Sequence, residues 1–321
     1  MAKIGIYGFN RISKVVARQI IEKKDMELVC IKENELEAEY LAYLLKFDSI
    51  YGRLKGRLQE KEGNLICGNS EIKVCSLEEK DWNGAEIIID CISTDLSQAK
   101  KVISMNHQKL ISCANSVDIP TVIWGVNNEC IENIVSCGRS EGNAVGVIAK
   151  IIDKYFGIES GVVTCLKPAE EITAAVDKRF EKNWRNGRMI QGSVIPTPCG
   201  ATSLVAKVMP EMQGKLQGVS FTLPINAVGT VGLIFTLKTQ TDYEKVCKVL
   251  KNASEKDFRG ILGYTDEKVI SADFIGCTET AIIDTRIGFV KDGKILKLSA
   301  FYDRDMSLGA RILDIAKVFV K

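Results

Sequence analysis

Four side chains with catalytic potential lie within five consecutive residues in the middle of the chain: Cys137, Arg139, Ser140 and Glu141. The apolar stretch Ala144–Phe156 that follows them predicts a helix, so these side chains lie at its start. The first amides of a helix and the positive end of its dipole stabilise negative charge there. A thiol, a hydroxyl or a carboxylate in this position is therefore a candidate nucleophile, base or anion-binding group.

A second candidate site lies near the N-terminus, where Lys3–Tyr7 predicts a buried strand followed by a turn and an apolar-periodic helix. This order, with the acidic Glu33 just after the second strand, is the arrangement of dinucleotide-binding domains. Their glycine fingerprint is reduced to Gly8, because Asn10 and Ser13 occupy the other two positions. Asparagine tolerates a left-handed backbone, but its side chain fills volume. The motif by itself leaves nucleotide binding and a plain βαβ unit open.

Composition limits the classes of function. The 321 residues carry a net charge of +2, so global charge points neither to nucleic acid nor to an anionic membrane as a partner. The 46% of apolar residues provide cores for roughly two domains. No apolar run approaches the ~20 residues of a membrane span. The 11 cysteines are scattered without a C-x-x-C pair, and the chain begins on a strand pattern, so we expect a soluble protein of the reduced cytoplasm.

The periodicity changes between the two halves of the chain. The first half alternates predicted strands at Glu86–Ile92, Lys109–Ser112 and Thr121–Trp124 with predicted helices at Leu36–Lys46 and Leu96–Met105. The second half has predicted strands at Val162–Leu166, Gly218–Leu223, Val228–Leu237, Ala281–Thr285 and Ile295–Phe301, and predicted helices at Ala201–Val208, Asp242–Asn252 and Leu308–Val320. The predicted fold class is α/β, with an N-terminal doubly wound Rossmann-type domain and an α+β catalytic-type domain that contains a large mixed or antiparallel sheet.

Eight segments spread along the chain match one known family in the same order: Lys3–Phe9, Leu41–Ser49, Trp124–Asn127, Lys150–Ile158, Trp184–Arg188, Gly214–Leu216, Arg259–Thr265 and Ser271–Phe274. Through them the sequence resembles the phosphorylating glyceraldehyde-3-phosphate dehydrogenase family over nearly the whole chain. The resemblance implies an NAD-binding Rossmann domain at 1–138, completed by the C-terminal helix 304–321, and the family's C-terminal domain at 139–303. A shared fold does not carry function with it, so the site is compared residue by residue.

Both residues that carry the family's chemistry are replaced. The family adds a cysteine thiolate to an aldehyde and uses a neighbouring histidine to handle the proton. Its Ser-Asn-Ala-Ser-Cys-Thr-Thr-Asn motif aligns without a gap to residues 136–143, so Ser140 takes the nucleophile position and Cys137 falls three residues early. Its Val-His-Ala motif aligns to Leu166–Pro168, so Lys167 takes the base position. Without a base, the hydroxyl of Ser140 offers almost no nucleophile at neutral pH.

The resemblance also places altered residues at the substrate and phosphate positions. The arginine that clamps substrate phosphate is Thr222 here, and two threonine partners become Glu170 and Ile172. An acidic cradle should bind a phosphorylated substrate poorly. The full set of substrate, phosphate and nicotinamide positions comprises Arg139, Glu170, Cys199, Gly200, Thr222 and Arg304.

NAD is the cofactor that the resemblance implies. The family's contacts map onto Gly8, Phe9, Arg11, Ile12 and Glu33, and a carboxylate at Glu33 can accept a hydrogen bond from a ribose hydroxyl. Three replacements oppose binding in the family's manner: Asn10 and Ser13 at the pyrophosphate, and Arg304, a larger group where the family has the asparagine that fixes the nicotinamide.

The simultaneous loss of nucleophile, base, phosphate clamp and nicotinamide anchor favours a homologue that has lost dehydrogenase activity and keeps a scaffold or regulatory role. Two alternatives stay open. One is an NAD(P)-linked oxidoreductase that acts on a non-standard aldehyde. The other is a hydrolase-like activity of Ser140 with Lys167 as its base, which the acidic neighbours Glu141, Glu170 and Glu171 disfavour because they keep the lysine protonated.

Smaller hypotheses concern thiols and charges near the same pocket. Cys137, Cys165 and Cys199 could form a redox or metal site, although no recognisable ligand spacing accompanies them and unrelated small residues are the simpler interpretation, so no metal is predicted. The only histidine, His107, is expected at the surface. We expect salt bridges to fill the pocket by pairing Arg139, Lys167 and Arg304 with Glu141, Glu170 and Glu171.

Assembly is predicted from one segment. Lys178–Ile195, which includes Trp184–Arg188, resembles the family's long loop between subunits. The resemblance implies a homo-tetramer, and the remaining role is binding of a nucleotide, a metabolite or another protein, for example by co-assembly with an active dehydrogenase.

Overall fold

The computed structural model describes residues 1–103, 108–114, 116, 118–170, 173–181 and 183–319, which form two compact units. The first unit comprises Met1–Val122, Glu129–Gly138 and Leu308–Lys321, and the second comprises Ile123–Asn128 and Arg139–Ser307. Compared with the predicted domains, Ile123–Asn128 joins the second unit, because Ile123 and Val126 pack in that unit's core. Each unit therefore has its own sheet and its own buried cluster.

The first unit is built on a sheet whose larger part is parallel. Its elements are β1 (Lys3–Tyr7), α1 (Arg11–Lys23), β2 (Glu27–Lys32), α2 (Ala38–Lys46), β3 (Phe47–Asp48), β4 (Gly52–Arg53), β5 (Leu58–Lys61), β6 (Asn64–Cys67), β7 (Ser70–Cys75), β8 (Ile87–Asp90), α3 (Leu96–Val102), β9 (Lys109–Ser112) and β10 (Ile134–Ser136). The order of its eight strands is β10-β9-β8-β1-β2-β7-β6-β5, and β3 pairs with β4 separately. The pairs from β10 to β7 are parallel, so the predicted doubly wound sheet is confirmed.

The centre of this sheet positions the predicted nucleotide site. Tyr7, the last residue of β1, is in register with Lys32 on β2 and Asp90 on β8, so the loops after the three strands meet at one edge. Strand β1 lies between its two neighbours, with β2 on one side and β8 on the other side. Such a switch in strand order opens a crevice at the carboxyl ends of the strands, where nucleotides bind in α/β sheets.

One predicted strand of this half is wrong. Thr121 makes a single bridge to Ser136, and the chain then turns at Gly125 with a φ of +89° instead of continuing as the predicted strand Thr121–Trp124. The apolar residues of this segment are buried, and hydrophobicity alone does not distinguish such a segment from a buried strand.

The sequence interpretation also missed the antiparallel strands β5, β6 and β7. Tight turns with positive φ at Glu62–Gly63 and at Gly68 connect them. Glycine in a two-residue turn was the available signal. Helix α3 ends at Val102 rather than at Met105, and His107 lies outside the described residues.

The second unit is built on a mixed sheet with long strands, as predicted. Its elements are α4 (Ser140–Phe156), β11 (Ile158–Lys167), β12 (Ile195–Thr197), α5 (Ala201–Val208), β13 (Leu216–Thr222), β14 (Val228–Leu237), α6 (Tyr243–Glu255), β15 (Leu262–Thr265), β16 (Ala281–Asp284), β17 (Phe289–Lys291), β18 (Ile295–Asp303) and the start of α7 (Arg304–Phe319). The strand order is β12-β13-β11-β14-β18-β16-β15, with β17 paired to β18. The pairs β11–β13 and β15–β16 are parallel, and the other pairs are antiparallel.

Helix α4 organises the second unit because almost all of it is buried. Val145, Ile148 and Ile152 are fully buried in the core between this helix and the sheet. A Cβ added at Gly142 would lie 2.3 Å from Leu204 Cδ2, so the glycine allows α5 to pack closely against the first turns of α4. The starts of two helices are thereby held over one face of the sheet.

Strand register brings the predicted site residues to that face. Lys167 on β11 is in register with Thr222 on β13, and Cys165 is in register with Ser220 two residues earlier. Ser220 is in register with Thr197 on β12 as well. Side chains alternate between the two faces of a sheet, so residues in register, or two positions apart on a strand, share a face. The five residues on this face are Cys165, Lys167, Thr197, Ser220 and Thr222.

Candidate functional site

The turn after β1 carries the residues predicted to bind a nucleotide. Gly8 has a φ of +83°, which a side chain rarely tolerates, and a Cβ there would clash with Ile92. The amide of Phe9 donates to Oε2 of Glu33 at 2.7 Å, and Oε1 of Glu33 accepts from the amides of the next two residues at 2.8 and 3.0 Å. The carboxylate is thereby fixed at the end of β2, and its remaining lone pairs can accept from a ribose hydroxyl.

Asn10 closes the start of helix α1 with its own side chain. Its Oδ1 accepts from the amides of Ile12 at 3.0 Å and Ser13 at 3.2 Å, and Ser13 Oγ accepts from the Asn10 amide at 2.7 Å. This reciprocal capping box uses the amides that a pyrophosphate would take at a helix start. A pyrophosphate at this helix start would have to displace Oδ1 of Asn10 from the amides of Ile12 and Ser13.

Arg11, predicted as a cofactor contact, holds a buried carboxylate. Its guanidinium donates to both oxygens of Asp48, and Lys14 Nζ lies 2.9 Å from the same group. The Asp48 side chain is fully buried. Burial by itself would raise the pKa of Asp48, but hydrogen bonds from Arg11, Lys14 and the amides of Tyr51 and Ile50 hold it well below its ordinary value.

A cavity of about 500 Å³ lies beside this turn, at the carboxyl edge of the sheet. Tyr7, Lys32, Trp82, Ile92 and Ser93 are among the residues that line it. Lys32 Nζ lies 3.7 Å from the centroid of the Trp82 ring, so a cation stacked on an aromatic face forms one wall. The volume falls in the range of small-molecule sites, which runs from about 300 to 1,000 Å³.

In the second unit, Ser140 is the first residue of α4 and is buried. Its Oγ donates to the backbone carbonyl oxygen of Arg304 at 2.5 Å. Within the residues that the structure describes, no hydrogen bond joins Ser140 Oγ to Lys167 Nζ. The only proton of the hydroxyl is thus directed at an amide carbonyl, which is too weak a base to remove it.

Lys167 lies at the end of β11 and shares one carboxylate with Arg139. Lys167 Nζ and Arg139 Nη1 are each 3.9 Å from Oε1 of Glu170. The predicted pairing of these two cations with Glu170 is therefore confirmed. Glu171 and Ile172 lie outside the described residues.

The predicted partner of Arg304 is wrong. Its Nε and Nη2 donate to the carboxylate of Asp305 at 2.8 and 3.2 Å, and its Nη1 donates to the carbonyl oxygen of Ala169 at 2.6 Å. Asp305 is fully buried in the first turn of α7, where a negative charge is favourable. The arginine thus bridges the start of α7 and the loop after β11. Sequence reasoning missed Asp305 because adjacent helical residues ordinarily point in different directions.

Glu141 also departs from its predicted pairing. Glu141 is only 6% exposed, and it makes no salt bridge with any cation in the described segments. The carboxylate faces Tyr302 and Cys165 instead: burial and then the nearby Glu141 charge raise the pKa of Tyr302.

The remaining predicted positions separate into two groups. Thr222 is buried on β13, in register with Lys167, whereas Cys199 and Gly200 directly precede α5. Cys199 Sγ lies 3.9 Å from Cys165 Sγ. Cys137 belongs to the first unit, where its Sγ donates to the Ser112 carbonyl oxygen at 3.4 Å.

In the part of the chain that the structure describes, His, Cys, Asp and Glu side chains form no group of three or more that could hold a metal ion. The helices defined there are also too short or too polar to span a membrane.

Comparison with known proteins agrees with the two-unit architecture. The family model for the glyceraldehyde 3-phosphate dehydrogenase NAD binding domain matches residues 2–98, and the model for the C-terminal domain of the same enzyme matches residues 136–304.

Relatives match along the full chain. The cytosolic glyceraldehyde-3-phosphate dehydrogenase of Chlamydomonas reinhardtii is 35% identical over 328 residues, which cover 98% of this chain and 95% of that protein. Glyceraldehyde-3-phosphate dehydrogenase 1 of Saccharomyces cerevisiae is 33% identical over 333 residues and covers all of both chains. Glyceraldehyde-3-phosphate dehydrogenase 2 of Kluyveromyces marxianus is 34% identical, again over the whole of both chains.

Proposed function

Because this chain belongs to the glyceraldehyde-3-phosphate dehydrogenase family, we propose that it is a member without phosphorylating dehydrogenase activity that serves as a nucleotide-binding scaffold or regulatory subunit. The observation that carries the proposal is the hydrogen bond from Ser140 Oγ to the Arg304 carbonyl oxygen. Addition to an aldehyde needs an ionised nucleophile, and this hydroxyl has an amide carbonyl as its hydrogen-bond acceptor.

The surroundings of Lys167 support the same conclusion. A general base must lie within hydrogen-bond reach of the proton that it removes. Lys167 Nζ lies 3.9 Å from Oε1 of Glu170, and within the described residues it makes no hydrogen bond to Ser140 Oγ. The amine is thus engaged with a carboxylate rather than with the hydroxyl that it would have to deprotonate.

Arg304 supports a changed role for the position that contacts nicotinamide in the family. The guanidinium donates to the Ala169 carbonyl oxygen and to both oxygens of the Asp305 carboxylate. We therefore propose that Arg304 stabilises the second unit and does not bind the carboxamide of nicotinamide.

Nucleotide binding is the part of the family's function for which this chain keeps groups. The chain retains the family's NAD-binding domain. Glu33 is ordered by three backbone amides, and Gly8 gives the backbone turn room. We propose that these groups hold the adenosine portion of NAD or of a related nucleotide, and that the Asn10 cap reduces the contribution of the pyrophosphate.

The cellular setting is proposed from the same relationship. The relative from Chlamydomonas reinhardtii is named as a cytosolic enzyme, and we propose the cytosol for this chain as well. A homo-tetramer, or a mixed assembly with an active dehydrogenase, is the proposed state in which a regulatory subunit would act.

The test is an activity assay with a rescue series. Purified protein is mixed with NAD, glyceraldehyde 3-phosphate and inorganic phosphate, and the appearance of reduced cofactor is followed by absorbance. We expect no turnover above the enzyme-free rate. The variant Ser140→Cys/Lys167→His should also stay inactive because Thr222 and Arg304 remain. Turnover by the unmodified protein that disappears in Ser140→Ala would overturn the proposal.

Two further assays on the same protein preparation distinguish the alternative functions. An oxidoreductase for a non-standard aldehyde, which the ordered Glu33 carboxylate favours, requires reduced cofactor to form with an unphosphorylated aldehyde from a panel. A Ser140–Lys167 hydrolase requires ester cleavage that needs no cofactor and is lost in Ser140→Ala.

A further inference from the structure

Two cysteines that are distant in sequence meet on the inner face of the second unit. Cys165 lies on β11 and is fully buried, whereas Cys199 follows β12 and is partly exposed. Their sulfur atoms are 3.9 Å apart. A partly exposed cysteine and a buried cysteine are therefore in sulfur–sulfur contact.

The backbone around Cys199 is arranged for a sulfur atom. A Cβ added at Gly218 would lie 2.6 Å from Cys199 Sγ, so the absence of a side chain on β13 creates the space that the sulfur fills. Cys199 also precedes Gly200, the residue before the first turn of α5, where amide groups and the helix dipole stabilise an anion.

These contacts favour the ionised form of one thiol. The neighbouring Cys165 thiol, and then Ser220 and the amides of Ala201 and Thr202, outweigh the effect of burial and lower the pKa of Cys199 to about 5. The hydrogen bond to Cys199, followed by burial and the charge of Glu141, raises the pKa of Cys165. The two pKa values are therefore shifted in opposite directions, which favours the thiolate on Cys199.

We infer that Cys199 and Cys165 form a redox pair in which Cys199 reacts with a hydroperoxide and Cys165 then closes an intrachain disulfide. The inference does not depend on the proposed function, because it uses neither Ser140 nor a bound nucleotide. Its ligand class is a small peroxide that reaches a partly exposed sulfur.

The chemistry balances in two steps. The Cys199 thiolate attacks the terminal peroxide oxygen, the O–O bond breaks, and the released alkoxide or hydroxide takes a proton from water, which leaves a sulfenic acid. The Cys165 sulfur then attacks the Cys199 sulfur, the S–O bond breaks, and hydroxide leaves as water with the Cys165 proton. Two thiols are oxidised to a disulfide, and one peroxide is reduced to an alcohol, or to water, plus a second water.

The second step is favoured by the first. The main cause of the raised Cys165 pKa is its hydrogen bond to the Cys199 thiolate, and this anion disappears when the sulfenic acid forms. Closing the bond requires the sulfurs to approach from 3.9 Å to about 2 Å, by rotation of the side chains and a small movement of the loop before α5.

The experiment uses the reduced full-length protein and a limiting amount of hydrogen peroxide, followed by peptide mass spectrometry without reduction. Proximity alone predicts that other pairs react first, because Cys91–Cys113 and Cys30–Cys75 have sulfurs only 3.5 and 3.6 Å apart. Burial raises the pKa of Cys30, and hydrogen bonds to Cys137 and Cys91 raise that of Cys113. We expect the peptide that links Cys165 to Cys199 to appear before either of these.

Variants separate the two roles. In Cys165→Ala, peroxide should leave a sulfenic acid on Cys199 that dimedone labels, and no disulfide should form at Cys199. In Cys199→Ser, Cys165 should stay reduced. Cys277→Ala is the matched control, because this thiol lies in the same unit and is partly exposed but has its pKa raised by burial. It should oxidise at Cys165 and Cys199 like the unmodified protein.

A second readout does not require the disulfide. At pH 7, iodoacetamide should alkylate Cys199 at least ~10-fold faster than Cys277, because the attacking species is the thiolate. Thermal unfolding confirms that each variant is folded. If Cys277 reacts as fast as Cys199, or if the first disulfide to form is Cys91–Cys113 or Cys30–Cys75, the inference is overturned.

Discussion

At the scale of single residues, Arg11 shows how a side chain in a family cofactor position serves the fold here. Its guanidinium and the amine of Lys14 meet the fully buried carboxylate of Asp48. Hydrogen bonds to a charged group contribute about 1.5–3 kcal/mol each. Ion pairs therefore connect the start of α1 to the segment after α2. Their contribution to the free energy of unfolding should depend on pH.

The first prediction concerns that contact. Asp48→Asn should reduce the free energy of unfolding at pH 7 by about 2 kcal/mol, since a charged acceptor of two cations is lost. The folded-state pKa of Asp48 is depressed, so its contribution is complete above about pH 4 and declines as the pH falls below that value. Denaturant titrations at pH 7 and near pH 3 should show the difference between the two proteins shrinking.

The control for this prediction is Asp81→Asn, which removes an exposed carboxylate that pairs with Lys73. Exposed pairs are screened by water, so its unfolding midpoint should not change measurably. An equal loss of stability in both variants, or a loss at Asp48 that grows toward low pH, would contradict the assignment.

Arg304 is the second residue whose role can be tested alone. Arg304→Asn restores the residue type that the family has, but it removes the guanidinium from the fully buried Asp305 and from the Ala169 carbonyl oxygen. We predict a loss of about 3 kcal/mol, because breaking a buried ion pair leaves an uncompensated charge. Urea unfolding of the single variants and of Arg304→Asn/Asp305→Asn should show that the double change costs less than the sum.

Lys245→Asn provides a comparison, because Lys245 pairs with Asp242 at 3.1 Å with both side chains mostly exposed. Its stability should stay close to that of the unmodified protein. Additive effects at Arg304 and Asp305 would show that their contact is not energetically coupled.

At the scale of elements, helix α1 illustrates a conflict between capping and ligand binding. Its cap satisfies the first amides with Asn10 and Ser13, and its apolar face buries Val15, Val16 and Ile20 against the sheet. A helix start that binds pyrophosphate leaves those amides to the ligand. In this chain the helix is stabilised without a ligand.

The third prediction follows from that cap. Asn10→Gly should tighten NAD binding roughly 5-fold, equivalent to about 1 kcal/mol, because the phosphate no longer competes with Oδ1. The change should cost only a few tenths of a kcal/mol of stability, since glycine is tolerated at a helix N-cap. Calorimetric titration measures the affinity. Glu33→Gln is the opposing control and should weaken binding, whereas unchanged affinity in Asn10→Gly would contradict the model of competition.

At the scale of the whole molecule, the segment predicted to lie between subunits has an apolar surface. Trp184 is 83% exposed, and Val176, Met189 and Val194 are also exposed nearby in sequence. A cluster of exposed apolar side chains is expected at a surface that another protein covers. This surface supports the predicted homo-oligomer.

The fourth prediction is that sedimentation at micromolar concentration gives four times the 35.4-kDa chain mass. Trp184→Glu should lower the assembly state, because a charge then replaces a large apolar contact. Tyr155→Glu, at an exposed aromatic residue near the end of α4, is the control and should leave the mass unchanged. A monomer in the unmodified protein would remove the basis for a tetrameric scaffold.

The sequence determined the architecture because its signals are local and repeated. Alternating apolar runs predicted Val228–Leu237 and Ala201–Val208 with their observed bounds. Many family-like segments in order predicted the fold class, and the gap-free alignment predicts the replacements at Ser140 and Lys167. The predicted strand Thr121–Trp124 is wrong, because a buried apolar segment has the same hydrophobic pattern as a buried strand. Burial and periodicity do not by themselves specify backbone hydrogen bonds.

Tertiary structure alone decided what the substituted side chains contact. Cys165 and Cys199 are 34 residues apart, yet strand register places their sulfurs together. Asn10 acts as a helix cap, and Arg304 binds its neighbour Asp305 rather than a glutamate. A side chain's partner depends on the packing of elements that are distant in sequence and on competition between several nearby charges, and neither quantity is encoded in a local pattern.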